Sequence, residues 1–536
     1  MPDILLTHGY FLAEDEKERQ IMKPYPPLGL LYLSAYLKRA GFSVEVFDST
    51  FGELAALEQK FAATPGGVTG IYTNLMTRRN VLRIVQAAKR HRWTVILGGP
   101  ESANYLAEYL DAGADVVVTG EGEVTLCDVL AALPRQGAHR LQEVAGIAFR
   151  DESGAIVSTA PRTRIPDLDS LPFPDREAID HGLYLNAWKT HHGASSINLI
   201  TARGCAYKCN WCSHAVYGHS HRRRSPANVA DEMQWIIDRY DPDQVWYADD
   251  VFTISHPWLA TYTAELKRRG IHRPFETITR ADRLQNEGAA ALLRELGCYR
   301  IWIGSESGSQ KILDAMQRGV KVEQVHRACR LAHEQGIQVG MFLMWGYEGE
   351  EIEDIAATVE HVKQSNPDVF FTTVSYPIKG TGYFDKVRER VELPIAWADA
   401  SDRDYIIAGR RGKDYYKLAT PGCVMKLRPS ALRAQIPHGL PNYCSERSRP
   451  ASHYEAGRNP CECSWPAACL QRRRSGAAHH YRTAGARSHQ PFRYRAGVER
   501  FRMGSCARNL RDAWTRHATR KPFAMEWSAT MGGFSR

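Results

Sequence analysis

Arg203-Gly204-Cys205-Ala206-Tyr207-Lys208-Cys209-Asn210-Trp211-Cys212 decides how this chain is read. Three cysteines fall at a three-then-two spacing inside one short loop, opened by a glycine. That spacing lets three thiolates converge on one small face, as an iron–sulfur cluster requires. No fourth cysteine follows closely. Three ligands on a four-iron cluster leave one iron open to bind and activate something. A structural zinc site is the competing reading. Zinc normally takes four ligands, commonly as two separated pairs, and His214 could in principle be the fourth. Three unrelated buried cysteines fit less well with Gly204 at the loop start and Trp211 before the last cysteine.

Downstream of the loop the chain has a βα period. Apolar runs at 197–201, 244–248, 275–279, 299–303, 338–344 and 370–375 predict strands. Amphipathic stretches at 227–240, 257–269, 287–296, 322–335 and 352–364 predict the helices between them. Six such repeats make a partial parallel barrel, and sites in such barrels lie at the C-terminal strand ends. The cysteine loop follows the first strand, so it stands at that mouth.

Upstream, the first 150 residues also alternate strand and helix signals. Strands are expected at 3–7, 43–48, 68–74, 94–97 and 115–118, and helices at 28–40, 81–91 and 103–110. Apolar strands between amphipathic helices imply a parallel sheet covered on both faces. Ligands of such sheets sit at the C-terminal strand ends. The turns Gly98-Gly99-Pro100 and Gly120-Glu121-Gly122-Glu123 both belong to that edge. Glycine in one such turn is equally well explained by a tight turn alone. Residues 145–160 read as a hairpin around Asp151-Glu152-Ser153-Gly154. The Pro- and Asp-rich stretch 161–175 reads as a solvated linker.

A chain of 536 residues is too long for one core and suggests two or three domains. Hydrophobic content of 43% and charged content of 24% are ordinary for a globular protein. No run of about 18 apolar residues predicts a membrane span. The chain enters strand-like sequence at once, without a signal peptide's regions, so the cytoplasm is expected. There, twelve cysteines suit metal ligation or free thiols better than disulfides. The net charge of +9 is unevenly held. From Pro421 onward 19 Arg and 2 Lys face 5 Glu and 1 Asp, a balance of +15, which leaves the first 420 residues at −6. The body therefore gives no footing for nucleic acid.

The whole constellation resembles the cobalamin-binding radical S-adenosylmethionine enzymes, including the anaerobic porphyrin cyclases and class B methyltransferases. Three features carry the resemblance: the cysteine loop with its aromatic, the N-terminal Pro26-Pro27-Leu28-Gly29-Leu30-Leu31-Tyr32 followed by Gly-Gly-Pro and Thr-Gly-Glu-Gly-Glu, and the strand-end segments. It implies an α/β chain: a cobalamin-binding, Rossmann-like parallel sheet over 1–150, a linker over 151–185, and a partial (βα)6 barrel over 186–390. The start of a C-terminal helical region follows at 391–420, and then an irregular basic tail at 421–536.

The resemblance also implies roles. Cys205, Cys209 and Cys212 are the catalytic and metal-binding residues of a 4Fe-4S cluster, and Trp211 of the same loop is a cofactor-binding residue. Gly304, Glu306 and Ser307, in a Gly-x-Glu-Ser-Gly-Ser segment, are cofactor-binding residues. Glu306 is then a partner for the ribose or methionyl ammonium of S-adenosylmethionine, or else a carboxylate at a helix start. Arg280 is a partner for the methionyl carboxylate, or else a surface arginine. Asp249 is a loop-ordering acceptor or a substrate contact. Gly346 lets adenine approach the backbone. Gly98, Gly99, Pro100, Gly120 and Glu121 face cobalamin. The Asp-x-His-x-x-Gly signature is absent, so no histidine of that motif is expected on cobalt, and the domain has room to have lost its cofactor.

The implied chemistry is cleavage of S-adenosylmethionine to a 5′-deoxyadenosyl radical and methylation of an unactivated carbon. The substrate is a small molecule, lipid or natural product, and an electron donor such as flavodoxin or ferredoxin is required. The alternatives are oxidative cyclisation without methyl transfer and a catalytically dead protein. The tail suits a disordered basic arm, a second metal site at Cys461, Cys463, Cys469 and His480, or an out-of-frame translation; the last is preferred, because its helix and strand periods stop near Gly422.

Overall fold

A computed structural model describes residues 2–133, 138–417 and 419, all within one compact unit. The tail readings, including the proposed second metal site, lie outside the described residues.

Strands β1 (Ile4–His8), β2 (Val44–Val46), β3 (Val68–Tyr72), β4 (Thr94–Gly98), β5 (Val116–Val118), β6 (Ile147–Arg150) and β7 (Ile156–Ser158) form one sheet in the order β2-β1-β3-β4-β5-β6-β7. The first five run parallel and the last two antiparallel. Every residue of β1 is buried, because both faces of the sheet are covered. Leu5 points into one core with Leu57, Phe61 and Val81. Ile4 and Leu6, its neighbours in sequence, point into the other with Leu30, Leu126 and Val129. Burying each such aliphatic side chain contributes about 1.5–3 kcal/mol.

Three helices of this domain escape the periodicity argument, the first being the short Glu16–Ile21. Leu54–Ala63 buries only Leu57 and Phe61, and Gly122–Ala132 begins inside the second glycine turn. The stretch 103–110 is not one helix. It is a 3-10 turn, Ser102–Asn104, and a helix, Leu106–Asp111, separated by Tyr105 in a non-helical conformation. Tyr105 is held there by its hydroxyl on Asp402 Oδ1, 2.5 Å away, and by the Arg78 guanidinium over its ring.

The second sheet contains β8 (Ser196–Leu199), β11 (Gln244–Tyr247), β12 (Phe275–Thr279), β13 (Cys298–Glu306), β14 (Gln338–Trp345) and β15 (Val369–Val374). All six are parallel, in the order β15-β14-β13-β12-β11-β8. This is the expected partial barrel, left open between β8 and β15. Two-residue strands β9 (Ala202–Arg203) and β10 (Arg222–Arg223) form a separate antiparallel ladder.

The outer helices Pro226–Tyr240, His256–Arg269 and Glu287–Leu296 carry strong start signals. Ser225, Ser255 and Asn286 accept from backbone N–H groups as N-caps. Gly270 and Gly297 end two of them in the left-handed region. That chemistry is local, which is why their ends were legible.

The segment ahead of helix Leu28–Arg39 reaches the second sheet. Tyr25 of the N-terminal segment packs inside the barrel against Trp188 and Trp246. Asn198 Nδ2 donates to Pro26 O at 2.9 Å. The stretch 161–175 is solvated only in its first half: residues 161–167 are exposed or half-buried, while Leu168 and Leu171 are buried and Asp169 accepts from Ser225 N at 2.8 Å. Residues 391–417 are less helical than the resemblance implies. They hold a short antiparallel pair, Val391–Glu392 with Ile406–Ile407, two 3-10 turns, Trp397–Asp399 and Asp402–Asp404, and an α-helix at Lys413–Lys417.

Candidate functional site

The cysteine loop occupies 204–221 and is clasped at its base by the β9–β10 ladder. Asp249, at the end of β11, accepts from Thr201 N at 2.7 Å, Ala202 N at 3.1 Å and Arg223 Nη2 at 2.9 Å. It is a loop-ordering acceptor. Gly204 has φ +80°, and a Cβ there would sit 2.5 Å from Ser220 O, so only glycine fits. Cys209 is buried, while Cys205 and Cys212 are half-buried. Trp211 is an anchor: its indole N–H donates to Tyr376 O at 2.8 Å, and its ring meets Tyr376 edge-on.

Two guanidinium groups converge on Cys209. Arg318 Nη1 lies 3.4 Å from its sulfur and Arg280 Nη1 3.8 Å. The Cys209 thiol is pulled down to about 4 by its hydrogen bond with Cys212 and by the charges of Arg318 and Arg280, which together outweigh burial. Arg280 is buried, stacked 3.6 Å over the Tyr207 ring and donating to Arg318 O at 2.7 Å. It is not a surface arginine. Arg318 was missed in the sequence, where the pair Arg318-Gly319 after a short helix carries no motif of its own.

Glu306 stands at a register shift in β13 with φ +63°, a strained conformation for a non-glycine residue. Its Oε1 lies 3.8 Å from Arg318 Nη2. Gly304 makes room for that arginine: a Cβ there would meet Arg318 Nη2 at 2.8 Å. Two expected cofactor contacts face elsewhere. Ser307 is fully buried against Thr358, 3.1 Å away, behind the strand. Gly346 is not in the cavity wall; its missing side chain admits the Tyr416 ring, which an added Cβ would meet at 2.8 Å.

The three cysteines, Arg280, Gly304, Glu306 and Arg318 line a cavity of about 190 Å³ at the barrel mouth. Among the described residues no three His, Cys, Asp or Glu side chains meet closely enough to hold a single metal ion, as a zinc site with His214 would need. A four-iron cluster makes no such demand, since each thiolate binds a different iron. One buried cysteine beneath two cations and two cysteines on a cavity wall fit that anionic group.

A second cavity, of about 250 Å³, lies on the C-terminal edge of the first sheet. Gly98, Gly99, Pro100, Gly120 and Glu121 all line it. Gly99 has φ +114°, and an added Cβ would sit 2.2 Å from Thr73 O, so the backbone itself forms the cradle. Glu121 is committed elsewhere: Arg203, Arg222 and Ile165 N–H occupy both of its oxygens. Burial alone would raise its carboxyl, but the hydrogen bond from Arg222 and the charge of Arg203 hold it below the usual range. His8 also lines this cavity, yet both ring nitrogens are engaged, Nε2 with Asp48 Oδ1 at 3.0 Å and Nδ1 by Tyr10 N–H at 3.2 Å. The two cavities share a wall made of Asn74, Met76, Pro100, Val216 and Tyr217.

Residues 199–362 match the radical SAM superfamily, and residues 20–130 match the B12 binding domain. This chain is an enzyme with a radical SAM region and, ahead of it, a B12 binding domain. An uncharacterized methyltransferase of Pyrococcus horikoshii is 26% identical to this radical SAM enzyme over 396 residues, which is 72% of this chain and 83% of the relative. The anaerobic magnesium-protoporphyrin IX monomethyl ester cyclase of Rubrivivax gelatinosus is 26% identical over 408 residues, covering 72% and 73%. The solved structure of the radical S-adenosylmethionine methyltransferase TsrM from Kitasatospora setae, with cobalamin and a [4Fe-4S] cluster bound, superposes with a TM-score of 0.64 at 18% identity. The match covers 80% of this chain and 92% of that one, and at this identity it shows a shared fold. Among the described residues no helix is long and apolar enough to cross a membrane.

Proposed function

We propose that this enzyme uses a 4Fe-4S cluster on Cys205, Cys209 and Cys212, S-adenosylmethionine and cobalamin to methylate an unactivated carbon of a small-molecule, lipid or natural-product substrate. The shared wall of the two cavities carries this reading, because a ligand beside the cysteines and a corrin on the sheet edge would face one space. When bound, the cluster supplies the electron that cleaves the sulfonium, and cobalamin supplies a methyl carrier. Arg318 and Glu306 offer opposite charges at one point of the cavity, suited to the carboxylate and ammonium of a methionyl group. This moves the carboxylate partner from Arg280 to Arg318, with Arg280 holding Arg318 through its backbone carbonyl. Ile278, Phe342 and Phe371 give the substrate end of the cavity an apolar wall that excludes water. A protein such as flavodoxin or ferredoxin delivers the electron.

The cyclase-named relative supports a second reading, oxidative ring formation without methyl transfer. One experiment separates the two. The reconstituted protein is incubated without oxygen with a reductant, methyl-deuterated S-adenosylmethionine and a panel of candidate substrates. Methyl transfer adds the labelled methyl to the product mass; cyclisation removes hydrogens and adds none. A cluster-loaded protein that never cleaves S-adenosylmethionine refutes both.

A further inference from the structure

We propose that Arg203 is a positioning residue that couples the two cavities, so that an ordered cysteine loop strengthens cobalamin binding and cobalamin in turn secures the loop. This rests on the cobalamin reading above and adds to it a linkage between the two cofactors.

Arg203 is the last residue before Gly204-Cys205 and is only 6% exposed. Its Nη1 lies 3.0 Å from Glu121 Oε1, and its Nη2 lies 2.6 Å from Glu123 Oε1. Its guanidinium also lies over the rings of Tyr32 and Tyr217. Arg222, its partner across the ladder, donates to Glu121 Oε2 at 2.8 Å. Both ends of the cysteine loop are thus tied to a glycine turn of the other domain. That turn is a wall of the cobalamin cavity. Within the loop, Val216 and Tyr217 are walls of both cavities, and Val216 O faces Gly120, 3.7 Å from where a Cβ would stand.

The chemistry makes this contact hard to break piecemeal. Separating one partner of a buried ion pair leaves an uncompensated charge in a poorly solvated place. The loop base and the Glu121–Glu123 turn are therefore expected to keep one arrangement or lose it together. An element that both sites bias is what linkage requires, and the coupling acts equally in both directions.

The test uses the full chain without oxygen and hydroxocobalamin as the probe. Its affinity is measured on cluster-loaded protein and on the same protein stripped of iron by a chelator. The cluster-loaded form should bind about tenfold more tightly, within the usual range of coupling between sites. Glu123→Gln and Arg203→Gln should each shrink that difference severalfold, the Arg222–Glu121 tie keeping the remainder. Arg203→Lys, which keeps a cation, should retain more of the difference. A merely structural role would lower thermal stability without narrowing the gap between the two affinities. If Arg203→Gln does not fold, Glu123→Gln and the wild-type pair still decide. Equal affinities in the wild type, or an undiminished difference in the Gln variants, overturn the proposal and leave the cofactor assignment standing. No hydroxocobalamin binding by either wild-type form overturns the cofactor assignment itself.

Discussion

Arg318 Nη1 lies 3.4 Å from Cys209 Sγ, and the same guanidinium stands 3.8 Å from Glu306 Oε1. One half-buried cation therefore touches the cysteine loop and the strained strand end at once. Replacing Arg318 by Met should weaken binding of S-adenosylmethionine to the cluster-loaded protein by about 10- to 100-fold, the weight of one or two charge-assisted hydrogen bonds. Arg280→Met should cost less, because Arg280 acts through the Arg318 carbonyl. Calorimetric titration of S-adenosylmethionine checks the order. A larger loss in the Arg280 variant would return the carboxylate to that residue.

The anaerobically reconstituted protein should hold one four-iron cluster. The variant with Cys205, Cys209 and Cys212 all changed to Ala should lose the iron and the thiolate–iron absorption near ~400 nm. Iron analysis and a visible spectrum decide, and full iron in the triple variant rejects the ligand set.

Gly99→Ala should destabilise the N-terminal domain by about 3 kcal/mol, through both a left-handed backbone and a clash with Thr73 O. Gly41→Ala is the control. Gly41 also has positive φ, but an added Cβ would meet nothing within 4 Å, so only about 1 kcal/mol is expected. The thermal midpoints should fall in that order, and equal shifts would contradict the backbone cradle at Gly99.

Glu350 gives a pH dependence. Burial pushes its carboxyl up to about 7, with Asp354 adding to the rise while the Gly346 N–H, Lys311 and Arg410 oppose it. A carboxyl raised on folding contributes stability below its unfolded value near 4.5, and that contribution is lost as pH climbs through about 7. Glu350→Gln keeps an acceptor for Gly346 N–H and removes the charge. The variant should match the wild type only below about pH 4 and exceed it near pH 8, by about 3 kcal/mol at most. Thermal melts across that range check it; a variant less stable at pH 8 would show that the carboxylate is a needed charge.

The strands and outer helices of the barrel were legible because their signals are local. Ser225, Ser255 and Asn286 cap helices within three residues of themselves, and glycine ends two of them. The helix at Leu54–Ala63 was not legible, because two buried residues make too thin a stripe. The spacing of Cys205, Cys209 and Cys212 named the loop, but it could not say that Trp211 spends its N–H on Tyr376.

The sequence by itself determined two βα arrays, their strand ends, and the three-cysteine loop, since periodicity, caps and spacing are properties of neighbours along the chain. Only the tertiary structure decided how charge is shared out at those ends. Arg318 reaches Cys209 across 109 residues, Arg203 reaches Glu121 across 82, and Arg78 reaches Asp402 across 324. Such pairs leave no periodic trace, because which cation meets which anionic partner depends on how segments far apart in the chain are brought together. The same holds for Ser307 and Gly346: their motifs were readable, and the side of the strand they serve was not.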